Sequence, residues 1–452
     1  MDVVLLSRIQ FGMNIATHYL FPPLSIGLAL MIVVMEGIYL KTKKKKYKEM
    51  AHFWIKIFAL SFALGVASGI VSVFAFGNNW AHFSRFVGDV FGSALAAEGI
   101  FAFFLEAGFL GLMLFGWNRV GDKINYLSSC LVCAGAHFSA IWIVIANSFM
   151  QTPAGYKIVG TGDNAKAIVT NFWEVIFNPS SMIRLGHVII GCWLTGAFVV
   201  MSVAAYYMYK ERHREFAKKC MMISLIVGSI CVVLQLWSAD SSARVVATHQ
   251  PEKLAAIEGV YETVPNTPMT LIGWVDTKEQ KVVGLKVPSL LSFLCFHNFT
   301  QPVPGLKKFP KENWPNTAVV FQTYHVMIYA WVLMFIACII GWILHSRGVM
   351  QNQRWFLWFA MLSVLWPYIA NQAGWFTAEM GRQPWVVWHL LRTSKGVSRS
   401  IHSEQVIGSI VMFICIWLLL VALFVFLLNR KIQQGPRDER DEVYSNPFLS
   451  GS

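Results

Sequence analysis

The sequence predicts an all-α fold, a polytopic membrane helix bundle of about nine transmembrane helices, and three observations predict it. Of 452 residues, 56% are hydrophobic and only 13% are charged, a balance outside the range of soluble domains. Apolar runs recur at the length needed to cross about 30 Å of hydrocarbon. The cations behind the formal net charge of +13 sit in short clusters between those runs, which is the placement of topology signals and not of a nucleic-acid-binding surface. No nucleic-acid partner is expected.

Spans can be drawn at 10–40, 52–76, 92–116, 126–148, 183–209, 217–241, 322–346, 355–379 and 404–429. The first lacks a basic leader region and contains His18, Pro22 and Pro23, so it reads as a helix that stays and not as a cleaved signal. In the second, Gly65 and Gly69 form a GxxxG, a pattern that lets helices pack closely. Lys and Arg follow the first, third, fifth, seventh and ninth runs, which places the N-terminus outside and the C-terminus in the cytoplasm. The chain thus divides into helices 1–6 over 1–241, an extracytoplasmic loop over 242–321, helices 7–9 over 322–430, and a polar, disordered tail over 431–452. Eight cysteines are scattered and mostly intramembrane, so no disulfide framework is expected. Cys130 and Cys133 form a CxxC without a following His, which gives no support for covalent haem attachment.

Ionisable groups inside hydrocarbon are costly, so each tends to face the bundle interior and to have a partner. His18 lies about two turns inside the outer end of the first span, and His187 about one turn inside the fifth. Met327 lies about one turn into the seventh, and Glu379 ends the eighth. Four potential metal ligands from four helices are therefore expected at one outer level, as a cofactor layer requires, and imidazole, thioether and carboxylate can all ligate haem iron. Glu98 and Glu106 are separated by about 12 Å along the third helix and about 80° around it. Desolvated carboxylates of this kind can relay protons.

The segment Gly374-Trp375-Phe376-Thr377-Ala378-Glu379-Met380-Gly381-Arg382-Gln383-Pro384-Trp385 closely resembles the GWxxxExGRQPW signature of subunit I of the cytochrome bd quinol oxidases. Gln250 to Glu258 resembles that family's quinol-binding loop, in its short form. Ser139 to Asn147, and then Met150 to Pro153, resemble its fourth span and exit. The resemblance runs from about residue 1 to about residue 430.

The resemblance implies two b-type haems, one low-spin and one high-spin, and haem d. It implies that His187 and Met327 hold the low-spin haem iron, and that His18 and Glu379 serve the irons of the two high-spin haems. Trp375 would stand between haems, and Arg382 would pair with propionates, which its guanidinium fork suits. Glu98 would lie beside the high-spin pair and Glu106 on a proton route from the cytoplasm. Lys253 and Glu258 would bind and deprotonate quinol. Family members commonly have Arg two residues before the methionine ligand; His325 stands there in this chain, removing a constant positive charge beside the low-spin haem.

The activity so implied is that of an electrogenic ubiquinol or menaquinol oxidase of the bacterial cytoplasmic (inner) membrane. It would oxidise quinol near the outer face and reduce O2 to water with cytoplasmic protons, building a proton-motive force without pumping. Subunit II is the implied partner, with a small single-span subunit as a further candidate. A secondary transporter would also use buried Glu and His, but it calls for repeat symmetry, and no repeat is visible. A diheme electron carrier without oxygen chemistry would have no use for the Glu379 signature.

Overall fold

The computed structural model describes residues 2–117 and 119–436. Among these, eight helical stretches are long and apolar enough to cross a membrane. The remaining expected span, the eighth, is built from two shorter helices, Arg354–Leu362 and Leu365–Met380. The cause of the break is Pro367, which has no N–H to offer the carbonyl of Ser363 and whose ring crowds it. Arg437, Arg440 and the rest of the expected tail from 437 onward lie outside the described residues; before them, the ninth helix continues to Gln434.

Two further departures from straight helices shape the interior. The first span is interrupted after His18, as Val3–His18 gives way to Phe21–Thr42. Pro22 and Pro23 leave the carbonyls of His18 and Tyr19 without their i+4 donors, so the helix must turn there. The third span runs as Gly88–Ala97, a π-helical turn over Glu98–Phe103, and Phe104–Phe115. A π-turn takes in about one extra residue, so Glu106 follows Glu98 by about seven α-helical steps and comes back to nearly the same face. The expected angular offset of about 80° therefore shrinks to about 20°.

Side chains of Leu24, Leu28, Ile32, Met35, Trp54, Phe58, Phe198, Tyr207 and Phe356 fill the inner half of the bundle as one continuous apolar core. Gly27 and Gly196 allow the first and fifth spans to touch through their backbones: a Cβ on Gly27 would lie 2.2 Å from the Cys192 carbonyl oxygen. A second apolar cluster, with Trp80, Phe83, Phe149 and Val387, closes the outer end.

The sixth helix, Arg214–His249, runs eight residues past its expected end at 241. The outer loop then begins with a short helix, Pro251–Glu258, stopped by Gly259 at φ +66°. Next comes an antiparallel hairpin of Met269–Asp276 and Lys281–Val287. Its first strand lies on the seventh span, where Gln322 donates to the Gly273 carbonyl (3.1 Å) and Tyr329 to that of Leu271 (2.9 Å). All eight cysteines are free thiols, as the scattered spacing predicts.

Candidate redox site

The two candidate histidine ligands are oriented in the same way. His18 Nδ1 lies 2.8 Å from Ser68 Oγ, and that hydroxyl donates to the Gly65 carbonyl at 2.9 Å. His187 Nδ1 lies 3.0 Å from Ser238 Oγ, and that hydroxyl donates to the Gln235 carbonyl at 3.0 Å. With each serine hydrogen committed to a carbonyl, Nδ1 is the imidazole donor and Nε2 keeps its lone pair. An outer partner fixing the tautomer and the ring is the usual support of a metal-binding histidine. At His187 the Gln235 amide donates to Nε2 at 3.0 Å. The GxxxG of the second span serves this arrangement, since a Cβ on Gly69 would lie 3.4 Å from the His18 ring.

The helix Leu365–Met380 gives a ruler for depth. Met327 Sδ would lie 2.8 Å from a Cβ on Gly374, and Asn371 lies against Gly191, one turn inward of His187. His187 and Met327 therefore share a level near Gly374 and Trp375. Gln372 donates to the Ala16 carbonyl at 2.8 Å, which puts His18 near residue 370. Asn147 donates to Glu379 at 2.9 Å, and Ser139, eight residues inward on the same helix as Asn147, donates to Glu98 at 2.6 Å. Glu98 is thus level with His18, about 13 Å below Glu379 and about 6 Å below the His187–Met327 pair. The single layer expected from sequence is in fact three tiers, because the proline break and the antiparallel helix registers offset the ligands.

Glu106 is 6% exposed and lies against Gly135, whose Cβ position would be 3.0 Å from its own Cβ. Gly135 and Ser139 are one turn apart on the fourth span, so both carboxylates of the third span meet the same face of that helix.

Arg382, 3% exposed, pairs with Glu379, and its Nε and Nη1 have no partner. Arg184, a residue the sequence reading missed, bonds to Asn147 and donates to Ser148 at 3.1 Å. Its signal was present: an arginine three residues before His187, inside an apolar run. Lys253 donates to Gln151 (2.9 Å) and Gln250 (3.3 Å) and is buried with its stem against Gly381. Arg184, Arg382 and Lys253 all act electrostatically on Glu379, so three cations surround one carboxylate. Burial, with Arg184 nearby, holds the Lys253 ammonium well below its ordinary pKa.

Glu258 is on the same short helix as Lys253 but faces the Tyr324 hydroxyl and the seventh span. Burial pushes its pKa up to about 7, and one of its oxygens has no partner. The structure therefore brings Lys253 and Glu258 to one helix but to different neighbours. His325 is also placed differently from expectation. Its ring is held between the carbonyl oxygens of Phe321 (2.8 Å from Nδ1) and Thr270 (2.9 Å from Nε2). It fastens the outer hairpin to the seventh span, because an imidazole is too short to reach as an arginine does.

Over residues 6–436 the chain matches the family model described as cytochrome bd terminal oxidase subunit I. The chain belongs to this family. It is 37% identical to cytochrome bd ubiquinol oxidase subunit 1 of Bacillus subtilis (strain 168), with 99% of this chain and 98% of that protein aligned. It is 33% identical to cytochrome bd-II ubiquinol oxidase subunit 1 of Escherichia coli (strain K12), with 98% of each covered. The bd oxidase structure from Geobacillus thermodenitrificans superposes with a TM-score of 0.90 at 29% identity, covering 96% of this chain and 99% of that one.

Membership makes the chain a haem-bearing, multi-span membrane oxidoreductase of the quinol:O2 class, with electron transport as its role. The residues present fit haem. His18 offers Nε2, His187 Nε2 meets only the Gln235 amide, a thioether shares the level of His187, and the unpaired N–H groups of Arg382 suit carboxylate groups such as propionates.

Proposed function

We infer that the chain is the haem-bearing subunit of an electrogenic terminal oxidase that oxidises quinol near the outer face and reduces O2 to water with protons from the cytoplasm. The carrying observation is the paired serine–histidine arrangement, in which Nδ1 of His18 and of His187 is held by a serine; it supports the reading that both rings would ligate iron through Nε2, with Gln235 giving way at His187. The haems, two b-type and one d, supply electron transfer from quinol and the reduction of oxygen when bound. His187 and Met327 would hold the low-spin iron from facing helices at one depth, while His18 and Glu379 would serve the high-spin pair. Trp375, at the level of His187 and Met327, would stand between haems. The surplus of positive charge from Arg382, Arg184 and Lys253 would be neutralised by propionates.

Quinol would dock against the short helix Pro251–Glu258. Glu258, with a pKa of about 7, is matched to take a hydroxyl proton near neutral pH. Lys253 would orient the quinol side of the cluster. Glu106 and then Glu98 would carry protons from the cytoplasmic side to the oxygen site along one face of the third span. Basic clusters at alternate helix ends support an external N-terminus and a cytoplasmic C-terminus. On this reading residues 242–321 form the extracytoplasmic quinol loop between the two helical blocks. The third and ninth spans expose Ile100, Phe104, Phe115, Leu418, Leu419 and Phe426, faces suited to lipid or to a second membrane subunit.

A reduced-minus-oxidised spectrum of the purified complex tests the reading. Low-spin b absorption together with a band in the red from a chlorin haem is expected, with oxygen uptake on addition of quinol. A complex without haem absorption would overturn it.

A further inference from the structure

Glu36 is a buried carboxyl that no part of the redox site uses. It is 3% exposed on the first span, and neither of its oxygens has a hydrogen-bond partner. A carboxyl buried with only a serine hydroxyl, that of Ser129, beside it is poorly compensated for its lost hydration, so simple packing does not explain it. It lines a cavity of about 10 Å³ together with Tyr39, Asp122, Asn125 and Tyr126, room for about one water.

That cavity sits at the inner end of the bundle. Asp122 opens the fourth helix, accepts from Tyr39 Oη at 2.8 Å, and faces Lys43 and Lys48 at 3.7 and 3.6 Å. From there polar groups climb the fourth span. Ser129, whose hydroxyl is also unpartnered, stands beside Glu36. Six residues outward on the same helix, about 9 Å along its axis, Gly135 packs against Glu106. Ser139 ends the series on Glu98. From Asp122 to Ser139 is seventeen residues of one helix, about 25 Å, most of the hydrocarbon thickness.

We propose that Glu36 is the first intramembrane proton carrier of the oxidase, loading from the inner aqueous phase at the Tyr39–Asp122 mouth and passing protons to Glu106. Each proton that leaves Glu36 toward Glu106 is replaced by one entering past Asp122, so the carboxyl returns to its starting state at every transfer. The oxygen chemistry consumes the protons, and electrons arrive separately from quinol. This route deepens the proposed oxidase reading and rests on it.

The test uses the assembled oxidase with its partner subunit. Glu36→Gln keeps shape and removes the exchangeable carboxyl; steady-state quinol:O2 turnover is expected to fall by about tenfold or more. Its haem spectrum, and the rate at which quinol reduces the haems without oxygen, should match the unsubstituted enzyme. The solvent deuterium isotope effect on turnover should rise, and Glu36→Asp should restore most of the rate, responses that a packing role would not give. Asp122→Asn, at the partly exposed mouth, should slow turnover with the same isotope signature. Turnover and isotope effect unchanged in Glu36→Gln overturn the route. If that variant does not assemble, unchanged values in Asp122→Asn overturn it instead. An unsubstituted complex lacking haem or oxygen uptake would sink the oxidase reading; a fully active enzyme with an equally active Glu36→Gln variant sinks only the route.

Discussion

Replacing Glu258 with Gln should stabilise the outer loop and stop quinol oxidation at once. Burial raises the Glu258 carboxyl from its ordinary value of 4.5 to about 7. Below pH 4.5 the group is protonated whether its helix is closed or open, so it adds no cost. Between 4.5 and 7 the open form ionises while the closed form holds its proton, so stability falls as pH rises. Above 7 the cost is constant, at about 1.4 kcal/mol for each pH unit separating the open and closed values, or about 3 kcal/mol. Gln cannot ionise and escapes this penalty. Hydrogen exchange of Pro251–Glu258 in the assembled complex measures the opening free energy directly. Protection in Glu258→Gln over the unsubstituted chain should be more than about hundredfold at pH 8 and below about tenfold at pH 5. Quinol oxidation should be lost at both, because an amide takes no proton. An equal protection ratio at the two pH values would refute the reasoning, since it would mean that the carboxyl is not desolvated by the closed loop.

Gly374→Ala places a Cβ 2.8 Å from Met327 Sδ; a strain of about 1–3 kcal/mol should displace the thioether, and difference spectra should lose the low-spin b band while keeping the others. Arg382→Gln removes the cation paired with Glu379 and leaves Arg184 and Lys253 near it, so the loss should be at or below the lower end of the about 3–5 kcal/mol of a broken buried pair, and haem content per protein should fall; full retention of haem would count against the propionate role. His325→Phe removes the link between Thr270 and the seventh span, at about 1 kcal/mol per hydrogen bond, so trypsin should cut at Lys278 or Lys281 of the hairpin several times faster with the haem spectrum unchanged.

Much of the bundle was legible because hydrocarbon imposes a length and excludes charge, and eight of the drawn spans correspond to uninterrupted or kinked apolar helices. The candidate ligands were legible for the same reason: His18, His187 and Glu379 are expensive where they stand. Their relative depth was not. It depends on Pro22 and Pro23 ending a helix after His18 and on which residues of Leu365–Met380 oppose each span, matters of packing that no single run of sequence encodes. The π-turn at Glu98 was equally hidden, since an extra residue per turn leaves no local mark among apolar side chains. Glu36 was legible and passed over, because an acid near the inner end of a span can be taken for one that reaches water.

The π-turn and the prolines act together on the same tier. The break after His18 frees the imidazole end of the first helix at the depth of Glu98, and the π-turn brings Glu106 round beneath Glu98 on the face that meets Ser139 and Gly135. Without the extra residue, Glu106 would point about 80° away, toward a different neighbour, and the carboxylates could not share one polar stripe of the fourth span. Gly135 completes the arrangement, since a side chain there would occupy the space of Glu106. On the proposed reading, a site that accepts electrons from the outer side and protons from the inner side needs its proton groups aligned across the bilayer. Here the alignment is obtained by irregular turns inside otherwise apolar helices, which cost less in hydrocarbon than additional charged residues would.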